Sequence, residues 1–429
     1  MTQKTNINMR KELIYSIFVR NFSDQGTFKG VESQLDRLKQ MGVDTIWLMP
    51  INTIGSENRK GDLGSPYAIK DYYEINSELG SESDLKNLIN AIHQHRMKVM
   101  IDIVFNHTST DSKLYKDKPD WFLHDSSGKR VNKNPEWTDV SELDYSKNDL
   151  WNYQIEVLKY YAKFVDGFRC DVAPQVPINF WITARHEVDK VNNRLIWLAE
   201  STDKEYIRSI RSKGFWASSD GELYNAFDMT YDYDIDQLWR SYVKGKTSTA
   251  DYVKALNEQT VIYPDNAIKM RALENHDQDR AHDLIPNMND LINWTAFSGF
   301  QRGSLLIYNG QEYGIHRTPS LFTRDPIDWE AKDGDLTDLI TRLHQLMQDD
   351  IQVSGDYMIT EDYNDIVQVS YRLKDKIRIG IFNLKSKGGW CKVSLLDGEY
   401  QNLLNEEQVK VLNGTTEIGL DPVIIEGKL

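Results

Sequence analysis

The sequence predicts an α/β protein built on a (β/α)8 barrel, with a short insertion after the third strand and a C-terminal antiparallel β-sandwich domain. Two observations predict this fold. Over the first 350 residues, short apolar runs alternate with helical patterns, which is typical of a parallel sheet covered by helices. After residue 351, short alternating runs separated by turn residues follow, which indicate antiparallel strands.

Eight apolar runs are the predicted barrel strands: 13–19, 43–48, 98–104, 165–170, 195–199, 222–227, 268–273 and 304–308. The sixth of these runs has the weakest strand signal. Apolar residues three and four positions apart predict helices at 31–41, 83–95, 149–163, 179–191 and 336–348. The first of these helices ends at Gly42, a favourable C-terminal cap. The predicted units are a barrel at 1–107 and 148–350, an inserted domain at 108–147 and a C-terminal β domain at 351–429.

Composition excludes several classes of partner. The 429-residue chain carries 51 basic and 65 acidic residues, and a net charge of −14 argues against nucleic acid or an acidic membrane as its ligand. No apolar run reaches the ~18 residues that a membrane-spanning helix needs. Two cysteines, Cys170 and Cys391, are too few for a disulfide framework. Together with a polar stretch at residues 1–10 that lacks a signal-peptide core, they predict a cytoplasmic location.

Residues 165–173 are the segment around which a site is predicted. Side chains at i and i+2 of a strand point to one face, so Arg169 and Asp171 share a face and Cys170 points away from it. An adjacent guanidinium lowers the pKa of a carboxylate and keeps it ionised, as a carboxylate nucleophile requires. Taken alone, such a pair is more often a structural ion pair.

Three further segments change that interpretation, because all four lie at predicted strand ends: 102–107, 169–171, 198–200 and 274–277. The carboxyl ends of barrel strands converge on one mouth. Individually these side chains have structural explanations, such as a helix cap for a carboxylate or a core position for His107 and His276. Their joint placement favours a catalytic site.

Carboxylate-pair chemistry fits this set better than the alternatives. Cleavage of a glycosidic bond needs one ionised carboxylate and one protonated acid. Asp171 beside Arg169 suits the first role, and Glu200, which follows an apolar run, suits the second because burial raises a carboxyl pKa. A metal-dependent hydrolase would need more clustered histidines than His107 and His276 provide. A Schiff-base enzyme would need a lysine at a strand end.

The residues at these positions resemble the four signature segments of the α-amylase family, in order and spacing: Asp102 with Asn106-His107, residues 167–171, Glu200, and residues 275–277. The resemblance covers nearly the whole chain. It implies a retaining double displacement on α-glucosidic bonds, with Asp171 as nucleophile, Glu200 as acid/base and Asp277 as stabiliser of the transition state. It also implies a set of sugar-binding residues: Tyr67, Asp102, His107, Arg169 and His276.

Departures from the family pattern bear on the substrate. Residues 171–176 lack the Lys-His pair that many endo-acting members carry after the nucleophile, and the insertion at 108–147 is short. The resemblance implies no required cofactor and leaves calcium open as a ligand of Asn106. The expected partner is an α-glucan oligosaccharide, and the expected reaction is hydrolysis of α-1,4 bonds in maltodextrins. A transglycosylase, an α-glucosidase or α-1,6-acting member, and a non-catalytic sugar-binding barrel remain alternatives.

Three tryptophans have two interpretations: Trp121, Trp137 and Trp329. They line a sugar groove, since indole rings stack on apolar sugar faces, or they belong to the core. The sequence favours neither interpretation.

Overall fold

A computed structural model describes residues 5–429, with the backbone alone at residue 363. Residues 1–4 of the polar N-terminal stretch lie outside the described part. Eight parallel strands close into a barrel, because the first strand pairs with both the second and the eighth. The strands are β1 Leu13–Ile17, β2 Thr45–Leu48, β3 Lys98–Ile103, β4 Gly167–Cys170, β5 Ile196–Ala199, β6 Met229–Tyr231, β7 Ile268–Arg271 and β8 Ser304–Tyr308.

The predicted barrel is confirmed, and one predicted strand is wrong. β6 begins at Met229, whereas most of the run predicted as strand six belongs to the helix Asp220–Leu223 and the turn after it. The hydroxyl of Ser219 accepts a hydrogen bond from the backbone of Glu222, and the Glu222 carboxylate accepts one from the backbone of Ser219. This capping box starts a helix where apolar content alone suggested a strand.

Helices cover the outside of the barrel: Val19–Phe22, Phe28–Glu32, Leu35–Met41, Glu82–Gln94, Asn148–Tyr161, Ile178–Asp189, Lys204–Ser212, Asp220–Leu223, Tyr233–Val243, Thr249–Ile262, Ala281–Leu284, Met288–Phe300, Thr337–Met347 and Asp350–Ser354. The predicted helix at 31–41 is split in two, and the other predicted helices agree within two residues at each end. Apolar side chains inside the barrel form a separate layer below the mouth: Ile14, Trp47, Met100, Ile196, Leu198, Met229, Tyr231, Ile268, Met270 and Leu306.

Two excursions from the barrel build the rim of the mouth. After β2, Asn52–Ile54 pairs antiparallel with Ile69–Ile75. After β3, His107–Ser109 pairs antiparallel with Val140–Glu142, and the short helix Lys113–Asp117 lies between them. Both excursions therefore leave from the carboxyl ends of strands, where the predicted site residues lie.

The C-terminal part is a two-layer antiparallel β unit, as predicted. Its larger sheet has four strands in the order Asp356–Asp362, Ile366–Leu373, Lys376–Asn383 and Val423–Lys428. Two smaller two-stranded sheets cover one face of it: Gly389–Lys392 with Thr415–Ile418, and Gly398–Gln401 with Gln408–Val411. The other face packs on the barrel helix Met288–Phe300. The strands are β9 Asp356–Asp362, β10 Ile366–Leu373, β11 Lys376–Asn383, β12 Gly389–Lys392, β13 Gly398–Gln401, β14 Gln408–Val411, β15 Thr415–Ile418 and β16 Val423–Lys428.

Within residues 5–429, no helix has both the length and the apolar character that crossing a membrane would require.

We predict that Gly42→Ala destabilises the protein more than Gly245→Ala. Both glycines have positive φ, 99° and 70°, so either alanine costs about 1 kcal/mol of backbone strain. At Gly42 an added Cβ would also lie 2.5 Å from Nδ1 of His344, whereas nothing lies within 4 Å at Gly245. We expect this collision to add about 1–3 kcal/mol to the loss of unfolding free energy, measured by urea denaturation. Equal losses would show that the His344 contact relaxes freely.

Candidate active site

Arg169 lies at the centre of the barrel mouth and contacts three carboxylates. The register of β3 and β4 places it beside Asp102, and its Nη1 donates hydrogen bonds to Oδ1 of Asp102 and Oδ1 of Asp171, each at 2.9 Å. Its Nη2 lies 2.9 Å from Oε1 of Glu200. The guanidinium is fully buried. One cation thus holds carboxylates from three successive strands together, as the predicted convergence at the mouth requires.

Aromatic rings surround the same guanidinium. Its central carbon lies 5.1 Å from the ring centroid of Trp47, 5.6 Å from that of Tyr67 and 5.5 Å from that of Tyr231. Its Nε donates to the hydroxyl of Tyr231 at 3.1 Å. Cation–π attraction and this hydrogen bond keep the guanidinium in place without further acidic groups.

A tight turn after β4 connects the Asp171 and Glu200 side chains. The backbone N–H of Asp171 donates to the carbonyl of Ile103, which continues the parallel pairing past the end of β4. Val172 then adopts a left-handed conformation with φ 41° and ψ 42°, rare for a β-branched residue. In this conformation its backbone N–H donates to Oε2 of Glu200 at 2.7 Å. The strained residue therefore orients the carboxyl group of Glu200.

Burial determines the protonation behaviour of these carboxyl groups. It raises the pKa of Asp171 well above its usual value, the charge of Glu200 raises it further, and Arg169 lowers it. Burial also raises the pKa of Glu200, against the lowering effect of Arg169. The net rise at Glu200 was expected. The net rise at Asp171 was not, because the sequence did not show that one guanidinium is shared among three buried carboxylates.

Tyr67, His276 and Asp277 form the rim above Arg169. The Tyr67 hydroxyl donates to Oδ2 of Asp102 at 3.1 Å and shares a hydrogen bond of 2.7 Å with Nε2 of His276. The two rings are stacked, with centroids 5.3 Å apart. The same Nε2 lies 3.0 Å from Oδ2 of Asp277, whose side chain is 44% exposed. Partial burial raises the pKa of Asp277, but His276 and Arg169 outweigh it, so its pKa lies below the usual value.

His107 and Asn106 lie behind this group, next to the insertion. The ring of His107 packs edge-on against that of Trp137, with the ring centroids 5.5 Å apart. Burial, helped by the charge of Lys133, lowers the pKa of His107 to about 3, so its imidazole is neutral at pH 7. Oδ1 of Asn106 accepts a hydrogen bond from Nζ of Lys133 at 2.7 Å. Among the described residues, neither side chain is hydrogen-bonded or ion-paired to the three carboxylates around Arg169.

A pocket of about 280 Å³ opens beside Glu200, and its lining includes Trp137, Tyr206 and Tyr233. The other two tryptophans are not part of it. Trp121 is 8% exposed in the core, and Nε1 of Trp329 donates to the carbonyl of Phe22. Trp137 is therefore the one of the three whose position fits a sugar groove, whereas Trp121 and Trp329 pack within the protein.

Several contributors to the site were missed from sequence. Trp47 reads as an ordinary strand residue, and Tyr231 was missed because strand six was misplaced. The backbone N–H of Val172 leaves no trace in a sequence. Lys133 is one of several lysines in a polar insertion, and no pattern separates it from the others.

Among the His, Cys, Asp and Glu side chains that the structure describes, neither His107 nor His276 belongs to a group that could hold a metal ion. Within residues 5–429, side chains that could hold one ion together are His282, His316 and Asp333, all of which lie outside the four segments at the predicted strand ends. A metal-dependent hydrolase at the carboxylate group therefore gains no support from the placement of its histidines.

Comparison with protein families identifies the chain. The sequence profile described as "Alpha amylase, catalytic domain" matches residues 9–362. The chain belongs to the α-amylase family. A second profile, "Bacterial Alpha amylase C-terminal domain", matches residues 358–425, which contain most of the two-layer β unit.

Solved and curated relatives agree with this assignment. An α-amylase from Lactobacillus plantarum is 44% identical, with a TM-score of 0.96 over 98% of this chain and 100% of that one. A noncanonic maltogenic α-amylase, AmyB from Thermotoga neapolitana, is 33% identical, with a TM-score of 0.88 and the same coverage. The α-amylase MalA of Haloarcula japonica is 26% identical over 374 residues, 85% of this chain and 51% of that protein. This α-amylase-family chain therefore aligns with only about half of MalA.

We predict that Tyr231→Phe destabilises this α-amylase-family protein more than Tyr224→Phe. The first change leaves the buried Nε–H of Arg169 without its acceptor, which costs about 1–3 kcal/mol. The second removes a hydroxyl whose partners, Thr230 and the carbonyl of Ile268, are neutral, and such bonds contribute about 0.5–1.5 kcal/mol. Urea unfolding of both variants measures the difference. A smaller loss for Tyr231→Phe would mean that the guanidinium does not depend on this acceptor.

Proposed function

We propose that the protein hydrolyses α-1,4-glucosidic bonds in maltodextrins and related α-gluco-oligosaccharides with retention of configuration. The observation that carries the proposal is the attachment of Asp171 and Glu200 to the two terminal nitrogens of one guanidinium. Such attachment holds the two carboxyl groups side by side. Retaining glycosidases need a short separation, about 5–5.5 Å, because one carboxylate must reach the anomeric carbon directly.

In the first step Asp171 attacks the anomeric carbon and forms a covalent glycosyl-enzyme. Its Oδ2 is buried and has no hydrogen-bond partner among the described side chains and backbone, so this oxygen is the free nucleophile. Glu200 transfers its proton to the departing glycosidic oxygen. In the second step Glu200 takes a proton from water, the hydroxide oxygen attacks the anomeric carbon, and the bond to Asp171 breaks.

The proton needed for the first step is assigned to Glu200. Asp102, Asp171 and Glu200 are buried around one positive charge, so full ionisation of all three is unfavourable. Asp102 and Asp171 each accept a hydrogen bond from Nη1 of Arg169. The contact of Glu200 with Nη2 is short but lacks hydrogen-bond alignment. Glu200 accepts a further hydrogen bond, from the backbone N–H of Val172, which fixes its orientation. The proton is assigned to Glu200 because Asp171, whose Oδ2 is the free nucleophile, must be ionised in the same step.

The rim residues and His107 behind them bind the sugar. Tyr67 and the neutral His107 present an aromatic face and uncharged donors, while Asp277, ionised and open at the mouth, balances positive charge that develops at the anomeric centre. Arg169 and His276 fix the positions of these carboxylates. The term maltogenic in the name of the AmyB relative supports short maltooligosaccharide products.

Transglycosylation is the second candidate, and the pocket beside Glu200 favours it. Trp137, Tyr206 and Tyr233 line this pocket with aromatic surface, on which an acceptor sugar can stack. A sugar hydroxyl held there would replace water in the second step. Products longer than the substrate, appearing as the substrate concentration rises, would show this reaction.

We predict that Asp171→Asn and Glu200→Gln separate the two steps. With maltoheptaose, both variants lose activity, because an asparagine is a poor nucleophile and a glutamine donates no proton. With α-maltosyl fluoride, Glu200→Gln still forms the glycosyl-enzyme, since fluoride leaves without protonation, while Asp171→Asn does not. Intact-protein mass spectrometry measures the added maltosyl mass.

A maltosyl adduct on Asp171→Asn would contradict the nucleophile assignment. Proton NMR of the first product gives an independent check, because retention releases the α-anomer first. If the β-anomer appears first, the mechanism is inverting. If the wild type yields no short maltooligosaccharides from maltoheptaose or soluble starch, the substrate class is wrong.

We predict a bell-shaped pH profile of kcat/KM displaced to higher pH than ordinary carboxyl groups would give. Activity falls as pH drops through the pKa of Asp171, which must be ionised, and falls as pH rises through the pKa of Glu200, which must be protonated. Burial raises both pKa values, so both limbs lie above the usual carboxyl range near 4. With α-maltosyl fluoride, the rate of glycosyl-enzyme formation by Glu200→Gln should lack the basic limb. An unchanged basic limb in that variant would assign the acid to another residue.

A further inference from the structure

Lys133 of the insertion has its charged end enclosed by protein oxygens. Its side chain is 6% exposed. Its Nζ donates to Oδ1 of Asn106 at 2.7 Å and to the backbone carbonyl of Gln175 at 3.2 Å, and it lies 3.6 Å from Oε2 of Glu142. An ammonium group is costly to bury, and these three oxygen partners offset that cost.

The partners form a donor set that also suits a metal ion. An amide oxygen, a backbone carbonyl and a carboxylate are the ligands that hard cations such as calcium prefer. Glu142 is fully buried, and its Oε1 has no hydrogen-bond partner in the part of the chain that the structure describes. Its Oε2 accepts a hydrogen bond from the backbone N–H of Lys133. The two residues are thus linked both through this backbone N–H and through the ammonium group.

We propose that the ammonium group of Lys133 replaces a metal ion at this position and acts as the built-in cation of the active-site scaffold. Calcium, which the resemblance leaves open at Asn106, is then not required, because the oxygen of Asn106 already binds a positive charge. One ammonium also balances the one carboxylate in direct contact with it. A divalent ion added to the same oxygens would compete with Lys133 for its position.

The connections made by Lys133 explain why a cation belongs there. Asn106 directly precedes His107 at the end of β3, and Gln175 ends the 3-10 turn that follows Asp171 and Val172. Lys133 therefore ties the insertion to two segments that carry site residues. Within the described part of the chain, Lys133 is neither hydrogen-bonded nor ion-paired to the carboxylates around Arg169, so it acts as a positioning residue.

The first test uses the wild-type protein. We expect its melting temperature and its kcat/KM on maltoheptaose to be unchanged by excess EDTA and by millimolar calcium chloride. A rise in melting temperature with calcium that disappears in Asn106→Ala would overturn the proposal, since calcium would then bind at this position. This first test needs no variant of Lys133. The melting temperature reports on the site even if maltoheptaose is not a substrate.

The second test vacates the site with Lys133→Ala. This change leaves Glu142 buried without a counter-charge and frees the oxygens of Asn106 and Gln175. We expect a lower melting temperature and a lower kcat/KM, both restored by millimolar calcium chloride. Lys133→Met fills the space without a charge, so it should lose stability but should not respond to calcium. Lys129→Ala changes an exposed lysine of the same insertion and should resemble the wild type.

Two outcomes would contradict the proposal. If Lys133→Ala is as stable and active as the wild type, the cation does not hold the scaffold. If Lys133→Ala is impaired and calcium restores neither property, the oxygens do not form a cation site. Rescue by calcium is a readout that a merely space-filling role of Lys133 would not produce.

Discussion

The sharing of one buried guanidinium among three carboxylates is the interaction on which the site depends. Arg169 lies between Asp102, Asp171 and Glu200, with aromatic rings on its other sides. Coulombic attraction is strong where water is excluded, so these groups hold each other at fixed distances. Because the positive charge is divided, no carboxylate is fully compensated. Burial and this imbalance together raise the pKa of Asp171 and of Glu200, and a raised pKa at Glu200 is what the proposed acid role needs.

Much of the fold and of the site could be predicted because both follow from local patterns. A strand end such as Asp102 or Glu200 is visible in sequence as a polar residue after an apolar run, and the barrel topology brings such ends together. The orientation of Cys170 away from Arg169 follows from the alternation of a strand. The family assignment rests on these same short segments and on the profile match over residues 9–362.

What could not be predicted depends on contacts between distant residues or on backbone conformation. Residues 222–227 have a strand-like composition, but the reciprocal hydrogen bonds of Ser219 and Glu222 make a helix the better local structure. The net rise in the pKa of Asp171 depends on how many carboxylates share Arg169. The oxygens that enclose the ammonium group of Lys133 include those of Asn106 and Gln175, which lie 27 and 42 positions from it in the sequence. None of these has a signal within a short window of sequence.

The packing of the C-terminal sheet on the barrel has a consequence for how the molecule unfolds. The ring centroid of Phe382 on β11 lies 5.4 Å from that of Phe297 and 5.8 Å from that of Phe300. Both partners are on the barrel helix Met288–Phe300. Gly380 lets that helix approach closely, since a Cβ there would lie 2.6 Å from the ring of Phe300. Separating the two units would expose apolar surface on each, at a cost proportional to its area. We therefore expect the β unit and the barrel to unfold together in one transition, because neither can lose the other without exposing this apolar contact.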